Sequence, residues 1–498
     1  MLSTAKTPGD KVFAFVKRYL HGKSALTKDI YDVKRENFNK LQNHHVQFFK
    51  DLLGDRTITD LHELEKYNQE WMRCVRGYSA LALKPKTTGE VSEILKYCND
   101  SNLAVCPHGG NTGLVGGAVP VFDEIVLSAE LMNDIIHLDA NSGVLVCQAG
   151  CVLENLDAIV AEAGLMVPID LASKGSCHIG GNVATNAGGL KLLRYGNLHG
   201  NVLGLEVVKA DGTIIDCLST LKKDNTGFHL KHLFIGSEGT LGFITKVALQ
   251  CPTRPKSVNV AFLGLNNFDK VLKTFKEAKH DLGEILSAFE VMDTATIEFM
   301  KEKLDISSPI GKYPFYLVIE TSGSREEHDA EKLNFFLQSC LEQNIVSDGI
   351  MATETHKVNA IWSIRERVPD GFRKCGHLFC YDISLPLENY YLLVEDMTKH
   401  MGNMAIRVFG LGHMGDSNLH IQIEVEEFSR DLKNYIEPYI FQRTKQLKGS
   451  ISAEHGMGFL KAKYLDFARP SSNVQMMKDL KRILDPKGIM NPYKVFPW

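Results

Sequence analysis

From Ser79 onward the apolar positions switch between two spacings. SALALKP from Ser79 is a short apolar run stopped by Pro85 and predicts a strand. Behind it Val91, Ile94, Leu95 and Cys98 recur at helical spacing, opened by Thr87 and Glu90 as a capping box, and LAVCP from Leu103 predicts a second strand. The three segments form a βαβ unit. EIVLS from Glu124 and GVLVCQAG from Gly143 continue as strands, and Leu153, Leu156, Val160 and Ala163 predict a helix that stops at Gly164. LGLEVVKADGTIIDC from Leu203 reads as a hairpin turning at Asp211 and Gly212.

Around Pro252 and Pro255 the texture changes from glycine-dense to more highly charged, which predicts a domain boundary. Beyond it come NVAFLGL, a helix from Phe268 to His280, SAFEVMD, FYLVIETSG and a helix from His328 to Glu342. Strand and helix repeated this way predict a large antiparallel sheet with helices on one face.

At 498 residues the chain exceeds one ordinary core and is expected to hold two or three domains. A net charge of −4 with 23% charged residues gives no basic field, so nucleic acid is not an expected partner. The longest apolar runs are too short for a membrane span. Eleven cysteines without a CxxC pair read as reduced thiols inside a cell. The first 28 residues hold six Lys or Arg against the single acid Asp10, with Val12, Phe13, Val16 and Leu20 on one side of a helix, which resembles a mitochondrial presequence.

Two sets of residues carry chemistry. His413 and His420, eight residues from end to end, are answered by the adjacent Glu454 and His455, with Gly410, Gly412, Gly415, Gly456 and Gly458 around them. Two imidazoles and a carboxylate make a metal site with open positions, suited to Lewis-acid chemistry, and leave His455 as a base; zinc, manganese, iron and cobalt all accept such ligands. Taken singly, each histidine would read as a hydrogen-bonded core residue. The other set is three glycine-rich loops: PHGGNTGLVGG from Pro107, GSCHIGGNVATNAGG from Gly175 and GSEGTLGFITK from Gly236. Their backbone amides can approach an anion such as a diphosphate. None fits the GxGxxG or GK[ST] fingerprints, so a Rossmann nicotinamide site and a Walker ATPase are not supported.

These loops, in this order and followed by GLGHMGDSNLH, SAEHGMG and DPKGIMNPYK, resemble the FAD-linked oxidoreductases of the vanillyl-alcohol oxidase fold. Segments such as CHIGGNVATNAGGLKLLRYGNLHGNVLGLEVV, LFIGSEGTLG, GEILSAFE and IETSGS are most similar to the branch that oxidises D-2-hydroxyglutarate, from about Leu26 to Lys494. The resemblance implies an α+β chain: a PCMH-type FAD-binding domain over 29–255, a cap over 256–460 whose large antiparallel sheet is flanked by helices, and a segment 461–498 returning to the first domain. It implies non-covalent FAD, with His108 not a flavin attachment point. The cofactor would lie against Gly109, Gly110, Asn111, Thr112 and Gly113; Gly180, Gly181, Asn182, Thr185, Asn186, Gly188 and Gly189; Gly236, Glu238, Gly239, Gly242 and Ile244; and Asn491. Zinc would be held by His413, His420 and Glu454, the hydroxyl proton would pass to His455, and the hydride from C2 to flavin N5. The substrate would be bound by Arg365, Pro369, Cys380, Gln422 and His455. A mitochondrial matrix location and electron-transfer flavoprotein as acceptor are implied in the same way.

Three of these positions depart from the resemblance. Cys380 stands where close relatives carry a lysine, Gln422 where they carry an asparagine, and Pro369 where some members place a threonine. The lost lysine matters most, since a dicarboxylate needs cations; Arg367, Arg373, Lys374 or His377 are the sequence neighbours that could supply one. The altered pocket makes a D-lactate or broader D-2-hydroxyacid dehydrogenase the close alternative. A weakly active flavin-binding regulatory protein is the alternative of another class, and a hydrolase using the metal alone leaves the glycine loops unexplained.

Overall fold

A computed structural model describes residues 25–497, so the presequence expectation falls almost wholly outside the described residues. Three sheets organise the chain. The first has the order β1(Thr57–Ile58), β2(Ala82–Leu83), β4(Ile125–Ser128), β3(Val105–His108). Helix Thr88–Asp100 joins β2 to β3, opened as expected by Thr87, whose side chain accepts from Glu90 N while Glu90 reaches back to the cap. The strands of the βαβ unit are not direct neighbours, because β4 lies between them and pairs with both in parallel.

The second sheet runs β5(Ile135–Asp139), β6(Val144–Gln148), β9(Phe243–Gln250), β7(Val202–Val208), β8(Ile214–Cys217). β7 and β8 are the expected hairpin, turning at Gly212 with φ +82°, a conformation glycine adopts freely. Helix Leu153–Glu162 ends beside Gly164, also left-handed at +72°. The carboxy-terminal segment returns to this half: Asn491 N donates to Val105 O, Val105 N donates to Ile489 O, and Lys494 Nζ donates to Val119 O at 2.7 Å.

The third sheet has seven strands in the order β13(Asp348–Ala352), β10(Ser257–Leu265), β12(Phe315–Gly323), β11(Leu286–Asp293), β15(Arg407–His413), β16(Asn418–Val425), β14(His377–Ser384). Every pairing in it is antiparallel. Its helices do not keep to one face. Ala261, Leu263 and Leu317 pack with Phe275, Phe336 and Phe441, whereas the alternate residues Val260, Phe262 and Tyr316 pack with Phe299, Ile361 and Trp362. The near-complete burial of β10 and β11 has this cause, since a strand covered on both sides has no solvent face to show. No described helix is long and apolar enough to cross a membrane. All eleven cysteines are free thiols.

Candidate active site

One cavity of ≈ 1260 Å³ runs from the glycine loops to the third sheet. That exceeds the ~300–1,000 Å³ of a pocket for one small ligand and leaves room for a cofactor with a substrate beside it. Gly109 to Gly113, Gly180, Gly181, Asn182, Thr185, Gly188, Gly189, Glu238, Gly239, Gly242 and Ile244 all line it. Asn186, Gly236 and Asn491 do not. Asn491 braces the wall from behind, its amide donating to Gly117 O and Glu238 O.

The glycines of the cradle bring its backbone turns together closely and leave amides free to approach an anion. A Cβ on Gly110 would lie 2.2 Å from Ser176 O and one on Gly180 would lie 2.5 Å from Ala149 Cβ, so these turns close only with glycine, while Gly113 and Gly181 face open space. Buried His178 Nδ1 and Asn182 Oδ1 border the cavity without hydrogen-bond partners, as groups awaiting a polar ligand do. His108 is engaged by the backbone instead. Its Nδ1 contacts Ala118 O at 2.7 Å, and burial lowers its pKa to about 4. Glu238 behaves differently from the other cofactor candidates. Held at φ +52°, its carboxylate accepts from Met457 N and Gly458 N, both at 2.7 Å, and so fastens the loop after His455 to the cradle.

At the other end, cross-strand register gathers the site on one sheet face. Glu290 lies opposite His413, and His420 lies opposite Asp382, with Cys380 and Gln422 paired two residues further on. Side chains two apart on a strand share a face, so acid, imidazoles and amide point the same way. His413 Nδ1 contacts Glu290 Oε1 at 2.8 Å, which turns its Nε2 toward Glu454 Oε1 at 4.0 Å. His420 Nε2 and His455 Nε2 each stand 3.6 Å from that same oxygen. Arg365, on helix Thr355–Glu366, donates Nε to Glu290 Oε2 at 3.0 Å. Burial would push the Glu290 carboxyl up, but His413 and Arg365 hold it below the ordinary carboxylate value. Burial lowers and Glu290 raises the His413 imidazole, with a net rise to about 9. His420, buried beside positive neighbours, is pushed well down and stays neutral, the form that ligates a metal.

Asp382, which sequence reasoning passed over, organises the second half of the site. Its Oδ2 accepts from Ala453 N, Glu454 N and His455 N at 3.0, 3.1 and 2.9 Å, and its Oδ1 from Asn418 Nδ2 at 2.7 Å. His455 Nδ1 lies 3.8 Å from Oδ2, and Lys461 Nζ is also 3.8 Å away. Burial opposes its charge, yet His455, Lys461, His420 and the amides hold its carboxyl far below the ordinary range. The four donor groups lying within 4.8 Å of one another are Asp382, His420, Glu454 and His455, so His413 is outside the tightest cluster. Asp382 is saturated by three backbone amides and the Asn418 side chain, whereas His413 turns its Nε2 inward toward Glu454. A buried acid inside an otherwise apolar strand, Glu290 in SAFEVMD and Asp382 in FCYDIS, was the available signal for both missed residues.

Arg365, Pro369, Cys380, Gln422 and His455 all border the cavity. Gln422 Oε1 is buried without a partner. Of the cations suggested near Cys380, three are absent from the cavity lining and engaged elsewhere: Arg367 with Asp370, Arg373 over the Trp71 ring and Lys374 with Lys303 O. His377 does border the cavity, but burial pushes its imidazole down.

A flavin cradle facing a histidine and carboxylate cluster defines an FAD-linked oxidoreductase. The chain matches the FAD binding domain over residues 79–218 and the C-terminal domain of FAD linked oxidases over 254–495. It is 55% identical to a mitochondrial D-2-hydroxyglutarate dehydrogenase of Danio rerio over 92% of this chain and 86% of that one. It is 46% identical to a putative mitochondrial D-lactate dehydrogenase of Schizosaccharomyces pombe over 96% and 95%. The fold is that of p-cresol methylhydroxylase, with a TM-score of 0.73 at 15% identity over 91% of this chain and 97% of that chain. The chain belongs to the D-2-hydroxyglutarate dehydrogenase family of FAD-linked oxidoreductases.

Proposed function

We propose that this FAD-dependent D-2-hydroxyacid dehydrogenase oxidises D-2-hydroxyglutarate to 2-oxoglutarate, with residues 29–255 holding FAD, 256–460 forming the cap and 461–498 returning to the first domain. The reading is carried by the convergence of His413, His420 and His455 on Glu454 Oε1 at one end of the cavity whose other end is the glycine cradle. When bound, zinc would polarise the C2 hydroxyl and FAD would accept the C2 hydride at N5.

The remaining work falls to the chain. His413, His420 and Glu454 are the metal ligands, and Glu290 fixes the tautomer and orientation of His413 as an outer carboxylate does in metal sites. His455 takes the hydroxyl proton on Nε2 while Asp382, beside Nδ1, stabilises the imidazolium that forms. Arg365, steadied through Nε by Glu290, offers the rest of its guanidinium to the substrate C1 carboxylate. Pro369, Cys380 and Gln422 complete the substrate wall. The names of the relatives support a mitochondrial location; we place the enzyme in the matrix with electron-transfer flavoprotein as acceptor.

Anaerobic mixing of purified enzyme with a panel of D- and L-2-hydroxy acids tests the reading. Bleaching of the flavin by D-2-hydroxyglutarate faster than by its L enantiomer or by D-lactate is expected. The neutral Cys380 thiol favours the second reading, a D-lactate dehydrogenase, which faster bleaching by D-lactate would establish. A flavin that no 2-hydroxy acid reduces would instead point to the regulatory alternative.

A further inference from the structure

β14 is the edge strand of the third sheet, so the cavity borders its free edge as well as one face. From the His420–Asp382 pair to the Gln422–Cys380 pair is two residues, roughly 7 Å of strand. The far end of a five-carbon acid anchored at the histidines of β15 and β16 can reach that pair, whose Cys380 stands on the edge strand β14. Burial keeps the Cys380 thiol neutral, so the strand itself supplies no charge there.

Across the edge, helix Arg430–Gln446 brings Lys433 to the same wall. Its side chain is only 16% exposed, a costly place for an ammonium unless anions surround it. Among the described residues the one carboxylate paired with it is Glu437, at a loose 3.6 Å, and Glu437 is shared with Lys463 at 3.8 Å and with the Tyr464 hydroxyl at 2.9 Å. The other contact of Lys433 is the neutral Tyr31 hydroxyl at 3.3 Å. Two ammonium groups therefore share one carboxylate. Two further residues bordering the cavity from opposite faces of the sheet, Tyr381 through its hydroxyl and Gln422 through Oε1, have polar atoms buried without partners. Of the other cations lining the cavity, Lys461 is committed to Ile451 O and Asp382, and Arg365 to Glu290.

We propose that Lys433 binds the second carboxylate of a dicarboxylic substrate and so selects D-2-hydroxyglutarate over monocarboxylic 2-hydroxy acids. The inference rests on the dehydrogenase reading above. Tyr31 acts as a positioning residue, its ring lying 4.9 Å from the Lys433 ammonium.

The test is Lys433→Met in the flavin-loaded enzyme. The ratio of kcat/KM for D-2-hydroxyglutarate to that for D-lactate should fall by ~10- to 100-fold, the worth of one charge-assisted contact. Calorimetric titration should give the same loss in binding of 2-oxoglutarate relative to pyruvate, without needing turnover. Lys433→Arg should keep most of the preference, and Cys380→Lys in the Lys433→Met background should restore it, which also guards against a merely misfolded variant. An unchanged ratio overturns the proposal, as does Arg73→Met, the remaining cation of the cavity lining, producing the loss in its place. Wild-type enzyme reduced by D-lactate but not by D-2-hydroxyglutarate overturns the dicarboxylate assignment and leaves the dehydrogenase reading standing. A flavin reduced by neither acid removes that reading itself.

Discussion

Replacing Asp382 with asparagine removes one charge and almost no volume, from a residue that is 1% exposed. Three consecutive amides, those of Ala453, Glu454 and His455, converge on its Oδ2. Hydrogen bonds to an ionised acceptor are about twice as strong as neutral ones, so each loses about 1 kcal/mol when the acceptor becomes an amide oxygen. Over three bonds that is about 3 kcal/mol, or roughly two powers of ten in the population of the ordered loop. The loop carries a metal ligand and the base together, so Asp382→Asn should retain its flavin spectrum, lose bound metal on dialysis and reduce its flavin at least a hundredfold more slowly. Elemental analysis of dialysed protein and stopped-flow reduction at saturating D-2-hydroxyglutarate measure the two losses. Full metal content with a wild-type reduction rate would refute the claim that Asp382 orders the loop.

Chelation should abolish flavin reduction while FAD stays bound, with His420→Ala behaving like the chelated enzyme; equal reduction rates with and without metal would remove the metal from the chemistry. His455→Ala should keep metal and substrate binding but slow reduction by ~10²–10⁴-fold, whereas a variant that only raises KM would deny it the role of base. Gly181→Ala places a methyl where nothing of the protein lies within 4 Å, so flavin content should fall while the thermal midpoint of the flavin-free protein stays unchanged. Glu124 is buried with one carboxylate oxygen unpartnered, and desolvation raises its pKa from 4.5 to about 7. Its folded value exceeds its unfolded one, so stability is lost as pH rises from about 4.5 and the loss is complete above about 7. Glu124→Gln should therefore gain stability over wild type between pH 5 and 8, by about 3 kcal/mol at most, in urea unfolding.

Local chemistry was legible in the chain. Thr87 and Glu90 form their capping box, Gly212 turns its hairpin, and the glycines at 110 and 180 are tight because adjacent backbone leaves no room for a Cβ. The cap and the turn depend on residues a few positions apart, so spacing alone determines them, whereas Gly110 and Gly180 are crowded by distant Ser176 and Ala149. The pairing of His413 and His420 with Glu454 and His455 could also be read, because only a few residue types do this chemistry and the glycines between them mark converging loops. Other features depended on register and packing across the fold. That Glu290 lies opposite His413, that Asp382 gathers the amides of a loop some seventy residues later, and that Glu238 fastens this loop to the flavin cradle are outcomes of strand pairing and domain contact. Helices cover the third sheet on both faces, and its central strands are accordingly buried on both sides, a pattern that periodicity does not resolve into sides. Lys433 looks in the sequence like an ordinary charge on a polar helix. Only the packing of that helix against the Tyr381 face of β14 brings its ammonium to the cavity, where it shares Glu437 with Lys463.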